Sequence, residues 1–162
     1  MAESKLLKIV SGGQTGVDRG ALDAALACGV ECGGWCPPGR LAEDGTIPAR
    51  YPVRELPSGG YAQRTRRNVV DSDATLIVFS GDIEGGTRLT LSCCQAARKP
   101  LCLIDAQRLS VTNAVEALRD FLAERDVAVL NVAGPRASKW PAGGAYAAEL
   151  LLGVLGKAGR SP

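Results

Sequence analysis

The sequence predicts an α/β fold: an open parallel sheet of about five strands with helices on both faces, built as a single domain. Three observations lead there. Short apolar runs at residues 6–10, 31–35, 74–79, 101–104 and 127–132 alternate with stretches of helical period, the order of a parallel sheet with helical crossovers. The length of 162 residues suffices for one core and is short for two. With only 4% aromatic residues, the core must lean on Val, Leu, Ile and Ala.

The first run, residues 6–10, suits a buried strand. It passes into SGGQTG, where Gly12, Gly13 and Gly16 punctuate the chain before a helix expected over residues 17–28. There Val17, Ala21, Ala24 and Cys28 share one stripe, and Gly29 is a plausible stop. A weaker strand follows at residues 31–35, and then CPPGRLAEDGTIPARYP, which holds too many Pro and Gly residues to be regular. A loop of that length, rigidified by proline and carrying Arg40, Glu43, Asp44 and Arg50, is expected to be ordered and functional. Residues 61–72 read as a polar helix containing Arg64, Arg66, Arg67 and Asn68. The strand at 74–79 leads to a second glycine turn, Gly85 and Gly86, before a helix over residues 87–97 that Pro100 closes off. The stripe Val111, Val115, Leu118 and Leu122 predicts a helix over 110–125, with Ser110 or Thr112 able to cap it. After the strand at 127–132, the loop AGPRASKWPAGG leads to an apolar helix near residues 145–155, with a tail expected to fray. A strand order of 2-1-3-4-5 would set both glycine loops beside one crevice at the carboxyl ends of the strands.

A strand, a glycine turn and a helix start together make an anion site. The first N–H groups of a helix lack intrahelical partners, the macrodipole is positive there, and glycine lets a ligand approach the backbone. Two such devices point to one anionic small-molecule ligand, with Ser11, Gly12, Gly13, Gln14, Thr15, Gly16, Asp18, Gly85, Gly86 and Thr87 around it. Arg19, Arg40, Arg66, Arg88, Arg136 and Lys139 fall near the same edge, where guanidinium groups suit oxyanions. The spacing of GGQTG is not that of a dinucleotide fingerprint, and no Gly-Lys-Ser/Thr follows, so neither NAD nor a P-loop is expected. Histidine is absent, which removes a Ser/His triad and an imidazole base. A formal charge of +2 with scattered Lys and Arg offers no nucleic-acid or membrane surface. Six cysteines without a leader or a membrane-length apolar run point to a reduced, cytoplasmic setting. Cys28, Cys32 and Cys36 do not make a zinc site, because four residues along a strand span about 13 Å. Cys36 alone sits in the loop expected to be functional.

SGGQTGVDRGALDAAL, GGWCPPGRLAEDGTIPARYPVRE, RTRRNVVDSDATLI, EGGTRLT and NVAGPR, together spread over nearly the whole chain, resemble the family of putative molybdenum-cofactor carriers. That family is similar to Lonely Guy and lysine-decarboxylase-like proteins, which implies a Rossmann-like sheet. The resemblance implies binding and protection of the molybdenum cofactor, a pterin dithiolene with a terminal phosphate and an oxo-metal head. It implies that the glycine loops hold its anionic ends, that Arg19, Arg40 and Arg88 supply charge, and that Trp35 or Tyr51 flanks the pterin. It further implies a molybdoenzyme or cofactor-synthesis partner and a homo-oligomer. Two alternatives stand beside it, a nucleotide sensor and a nucleoside-monophosphate hydrolase. The hydrolase motif GGxGTxxE aligns its glutamate with Thr90, which leaves Glu84 or Asp44 as the substitute carboxylate.

Overall fold

The computed structural model describes residues 5–159, so the expected fraying of the tail lies largely outside them. Five parallel strands form the central sheet: β1 (Lys8–Val10), β2 (Glu31–Gly33), β7 (Ala74–Phe79), β8 (Leu101–Asp105) and β9 (Val129–Ala133). Between them run α1 (Val17–Ala27), α2 (Tyr61–Val70), α3 (Gly85–Ala97), α4 (Val111–Ala123) and α5 (Gly143–Gly159). Helices α1 and α4 both pack on α5, and α2 packs on α3. Every residue of β7 is buried. Its side chains Leu76 and Val78 join Ile9, Leu130 and Val132 against Ala21, Leu118, Leu150 and Leu151, an aliphatic core as the composition requires. The Ser110 hydroxyl accepts the Asn113 N–H at 3.2 Å and caps α4, and Gly29, at φ 66°, ends α1.

The strand order corrects one expectation. It is β2-β1-β9-β7-β8, so the last strand in sequence enters between β1 and β7 rather than at an edge: Ile9 pairs Leu130, and Thr75 pairs Asn131. In the terms used above the order is 2-1-5-3-4, not 2-1-3-4-5. Counting instead from β9 as the first strand turns the same sheet into 3-2-1-4-5, the doubly wound order. The reversal then falls between β9 and β7, and the loops that follow those two strands open beside each other.

A second correction concerns residues 31–35. Gly34 interrupts the run, since its backbone lies against Ser11 so closely that a Cβ would meet the Ser11 carbonyl oxygen at 2.1 Å. The chain leaves the sheet there. It forms β3 (Trp35–Cys36) paired with β6 (Arg54–Glu55), and a small hairpin of β4 (Leu41–Ala42) and β5 (Gly45–Thr46). A second core of Leu22, Cys36, Ala42, Ile47, Tyr51 and Val53 holds this excursion on α1.

Candidate functional site

A cavity of about 660 Å³ opens at the carboxyl edge of the sheet, over β9. Three loops and one helix wall it: Gly12 and Gln14 after β1, residues 80–87 running into α3, residues 134–140 after β9, and Tyr61, Arg64, Thr65 and Asn68 of α2. Asp18, Leu89, Thr90, Gln107, Asn131, Val132 and Ala133 complete the lining. The two glycine turns are therefore brought together although β1 and β7 are not neighbours, because the intervening β9 contributes its own loop.

The two helix starts differ in what already occupies them. At α1 the Asp18 carboxylate accepts the Gln14 N–H at 3.2 Å, and the Val17 N–H donates to Pro135 O at 3.4 Å. The protein's own carboxylate thus sits at the positive end of α1. Asp18 is only 6% exposed, and burial pushes its pKa up to about 6 against the pull of Arg64, whose Nη1 stands 3.8 Å away. Arg64 also donates from Nη1 to Gly12 O at 2.9 Å, and it rests on that glycine: a Cβ there would lie 1.9 Å from Nη1. Neither helix start has a side-chain cap: the N-cap of α1 is Gly16, and that of α3 is Glu84, whose carbonyl accepts from Thr87 N and Arg88 N. Gly85 enters at φ 51°, a conformation that glycine adopts without cost. The start of α3, from Gly85 to Thr87, lines the cavity.

The third loop is fastened to the first through Glu43 at the tip of the β4–β5 hairpin. Its carboxylate accepts the Ser138 N–H at 3.1 Å, the Ser138 hydroxyl at 2.6 Å and the Thr15 hydroxyl, while Thr15 Oγ1 accepts the Ala137 N–H at 3.1 Å. These donors hold the Glu43 pKa below its ordinary value. Arg136 and Lys139 bring positive charge to the same wall, and Trp140 and Tyr61 bring aromatic rings. Tyr61 has the Arg64 and Arg136 guanidinium carbons 5.4 and 5.7 Å from its ring centroid. Asp82 and Glu84 are the other acidic groups in the lining.

Residues 9–155 match the profile of the circularly permutated YpsA SLOG family. The chain belongs to that family. A circular permutation moves a strand from one end of the chain to the other without moving it in the sheet, which is the relation found above for β9. The family fold is also that of a crystal structure from Syntrophus aciditrophicus SB, described as a "putative molybdenum carrier protein". That protein is 42% identical, superposes with a TM-score of 0.92, and the alignment covers 94% of this chain and 97% of that one. A search among curated proteins found no match.

Of the residues singled out from the sequence of this family member, Gly12, Gln14, Asp18, Gly85, Gly86 and Thr87 line the cavity. Others serve the frame around it. The Ser11 hydroxyl donates to Val132 O at 2.7 Å and ties β1 to β9. Gly13 O accepts the Arg19 Nε–H at 3.0 Å, and Arg19 forms a two-pronged pair with Asp44 at 2.6 and 2.8 Å. Thr15, Gly16 and Arg19 border a separate, shallower hollow beside α5. Arg40 donates to the carbonyls of Ile47, Pro48, Tyr51 and Val53 at 2.8–3.2 Å and so organises the excursion. Trp35 lies between Arg54 and Arg67 and donates its indole N–H to Asp71 at 2.9 Å; neither it nor Arg88 is part of the cavity lining. Tyr51 is buried, donating to Asp23 and accepting from Arg50, both at 2.7 Å. Cys36 packs in the second core, where burial raises its thiol pKa. Thr90 donates to Gly86 O at 3.1 Å. Among the described residues no cluster of acidic or sulfur ligands has metal-binding geometry, and no helix is long and apolar enough to cross a membrane.

Arg64, Tyr61 and Trp140 were not among the site residues chosen from sequence. The signal for Arg64 was present: an arginine at the apolar-facing position of α2, where Arg64, Asn68 and Val69 are the buried residues, is an unusual core residue unless paired.

Proposed function

We propose that the cavity binds a phosphate-bearing anion with a flat ring system, and that this ligand is the molybdenum cofactor, held and passed on without chemical change. One observation carries this reading: the uncapped start of α3 and the aromatic side chains of Tyr61 and Trp140 line the same cavity. The N–H groups of Gly85 and Gly86 receive the phosphate, with Lys139 and Arg136 adding charge. Tyr61 and Trp140 flank the pterin. The resemblance of the whole chain to a protein described as a putative molybdenum carrier supports the choice of ligand. A carrier of this kind works in the cytoplasm, exchanges its cargo with a molybdoenzyme or a cofactor-synthesis protein, and assembles with copies of itself.

Anaerobic titration with the molybdenum cofactor, with AMP and with molybdate tests the reading. Cofactor binding tighter than AMP binding is expected. Tight AMP binding without cofactor binding would replace the carrier with a nucleotide sensor. Release of free base from nucleoside monophosphates, lost in Glu84→Gln, would make the protein a hydrolase, Glu84 being the carboxylate nearest in sequence to α3 that lines the cavity.

A further inference from the structure

We propose that Asn131 selects the ring of the ligand, its carboxamide oxygen accepting an N–H group of the heterocycle. The proposal rests on the cavity binding a flat, phosphate-bearing ring and adds which side chain reads that ring.

Asn131 is the middle residue of β9, the central strand of the sheet, and is 3% exposed. Its partners in register, Val10 on β1 and Thr75 on β7, are buried as well. Strands of a parallel sheet covered on both faces are runs of apolar residues, and asparagine is depleted in them. Leu130 and Val132 obey that rule and join the main core with Ala21, Leu118 and Leu150. Side chains alternate along a strand, so Asn131 faces the other way, with Thr75 beside it. The cavity has α2 and α3 in its walls, and Asn131 belongs to its lining.

The protein itself uses little of this carboxamide. Asn131 Nδ2 donates to Thr75 Oγ1 at 3.3 Å, longer than an ordinary N–H···O bond. The Thr75 hydroxyl donates to the Cys94 sulfur, so its oxygen is left to accept and the amide end of Asn131 is the one turned towards it. No described residue donates to Asn131 Oδ1. Among the described residues, the only buried side-chain polar atoms that are both unbonded and sealed from solvent are Gln14 Nε2 and Arg64 Nε. Asn131 Oδ1 is therefore not sealed, and the surface it keeps opens on the cavity that the residue lines. Solvent serves such an oxygen until a ligand donor takes its place. An amide oxygen only accepts, so it opposes a phosphoryl or oxo-metal oxygen and suits a ring N–H or amino group. The amino-lactam edge of a pterin and the amino group of adenine share that chemistry.

The test compares rings with and without N–H donors by calorimetric titration of the full chain. The probes are neopterin monophosphate and AMP, each paired with a counterpart whose ring N–H and amino groups are fully methylated. Wild type is expected to prefer the N–H-bearing member of at least one pair. Asn131→Leu keeps the branched shape and removes the acceptor. It should reduce that preference about three- to tenfold, the loss of one neutral hydrogen bond, with a urea midpoint equal to or above that of wild type. Asn131→Ala should reduce it likewise and covers the case in which the leucine variant does not fold. A steric effect of either variant would weaken both members of a pair alike and leave the preference unchanged. A larger reduction with neopterin monophosphate assigns the pterin edge, a larger one with AMP the adenine amino group, and equal reductions a general N–H acceptor. A preference unchanged in both variants, a wild type without a preference, or a wild type that binds none of the probes would overturn the proposal. Loss of preference in the variants with no binding of the molybdenum cofactor to wild type removes the carrier reading and leaves the role of Asn131. Cofactor binding of equal strength in wild type and both variants does the reverse.

Discussion

Replacing Arg64 with leucine should destabilise the protein by an amount that depends on pH, because the change strands Asp18. In the native protein Asp18 is buried, its pKa is pushed up to about 6, and Arg64 is the charge that opposes that rise. An aspartate whose folded pKa lies above its unfolded value makes the protein lose stability as pH rises from about 4 towards 6. Above that range the wild type keeps Asp18 ionised with the help of Arg64. Without Arg64 the carboxyl stays protonated to higher pH. At pH 7.5 the variant therefore forgoes the free energy of ionising a group of pKa about 6, which is roughly 1.4 kcal/mol for each pH unit between 6 and 7.5, or about 2 kcal/mol. Loss of the Arg64 bond to Gly12 O adds about 1–2 kcal/mol at any pH. The expected total is about 3–4 kcal/mol at pH 7.5, in the range for breaking a buried pair, and about 1–2 kcal/mol at pH 5.5, where Asp18 is mostly neutral in both proteins. Urea denaturation of both proteins at the two pH values measures this, with m-values checked for constancy. A cost that is the same at pH 5.5 and 7.5 would show that Asp18 does not titrate against Arg64, and the electrostatic account of the cavity floor would be wrong.

Gly16→Ala should cost about 2–4 kcal/mol, since Gly16 sits at φ 83° and its Cβ would meet Pro135 O at 2.6 Å and Ala137 N at 2.8 Å, backbone atoms that cannot swing aside; calorimetry should show a melting temperature lower by roughly 5–15 °C. Gly86→Val should fold normally, because a Cβ there meets nothing within 4 Å, and should weaken cofactor binding at least about tenfold by filling ligand space. Gly13→Val is a poorer probe of binding, because Gly13 at φ 78° makes any larger residue strained before a ligand arrives. Glu43→Ala should quicken hydrogen exchange at the Ala137 and Ser138 amides and speed cofactor release, because it cuts the tie between the first and third loops. The Glu43 pKa is lowered by its Ser138 and Thr15 donors, so in the wild type this tie is complete above the ordinary carboxylate range and is lost only as pH falls below it; the protection factors of those amides, which remove the intrinsic pH dependence of exchange, should not change between pH 6 and 8.

The separate elements were legible in the sequence because their causes are local. Six buried residues in a row at β7, the expected stripe on α4, of which Leu118 and Leu122 are buried and Val111 and Val115 half-buried, and the Ser110 cap each act within a few residues. The roles of Arg19, Arg40 and Trp35 were not legible, because what a cation or an indole touches depends on which loop folds back upon it. Arg40 finds four carbonyls in its own excursion, and Arg19 finds Asp44, 25 residues away. Strand order was hidden for a deeper reason. A cyclic shift of the chain leaves every local pattern and every pairing intact while changing where counting begins, so reading from the N-terminus assigns β9 to an edge. Two features of the segment itself resist that assignment. Leu130, Asn131 and Val132 are all buried, whereas β8, which does form the edge, exposes Leu103. Gly134, just beyond β9, lies where a Cβ would meet Val78 O at 2.2 Å, so the residue that opens the third loop is a glycine because β7 runs beside it. The same contact sets the loops after β9 and β7 against each other, and the cavity occupies the gap between them.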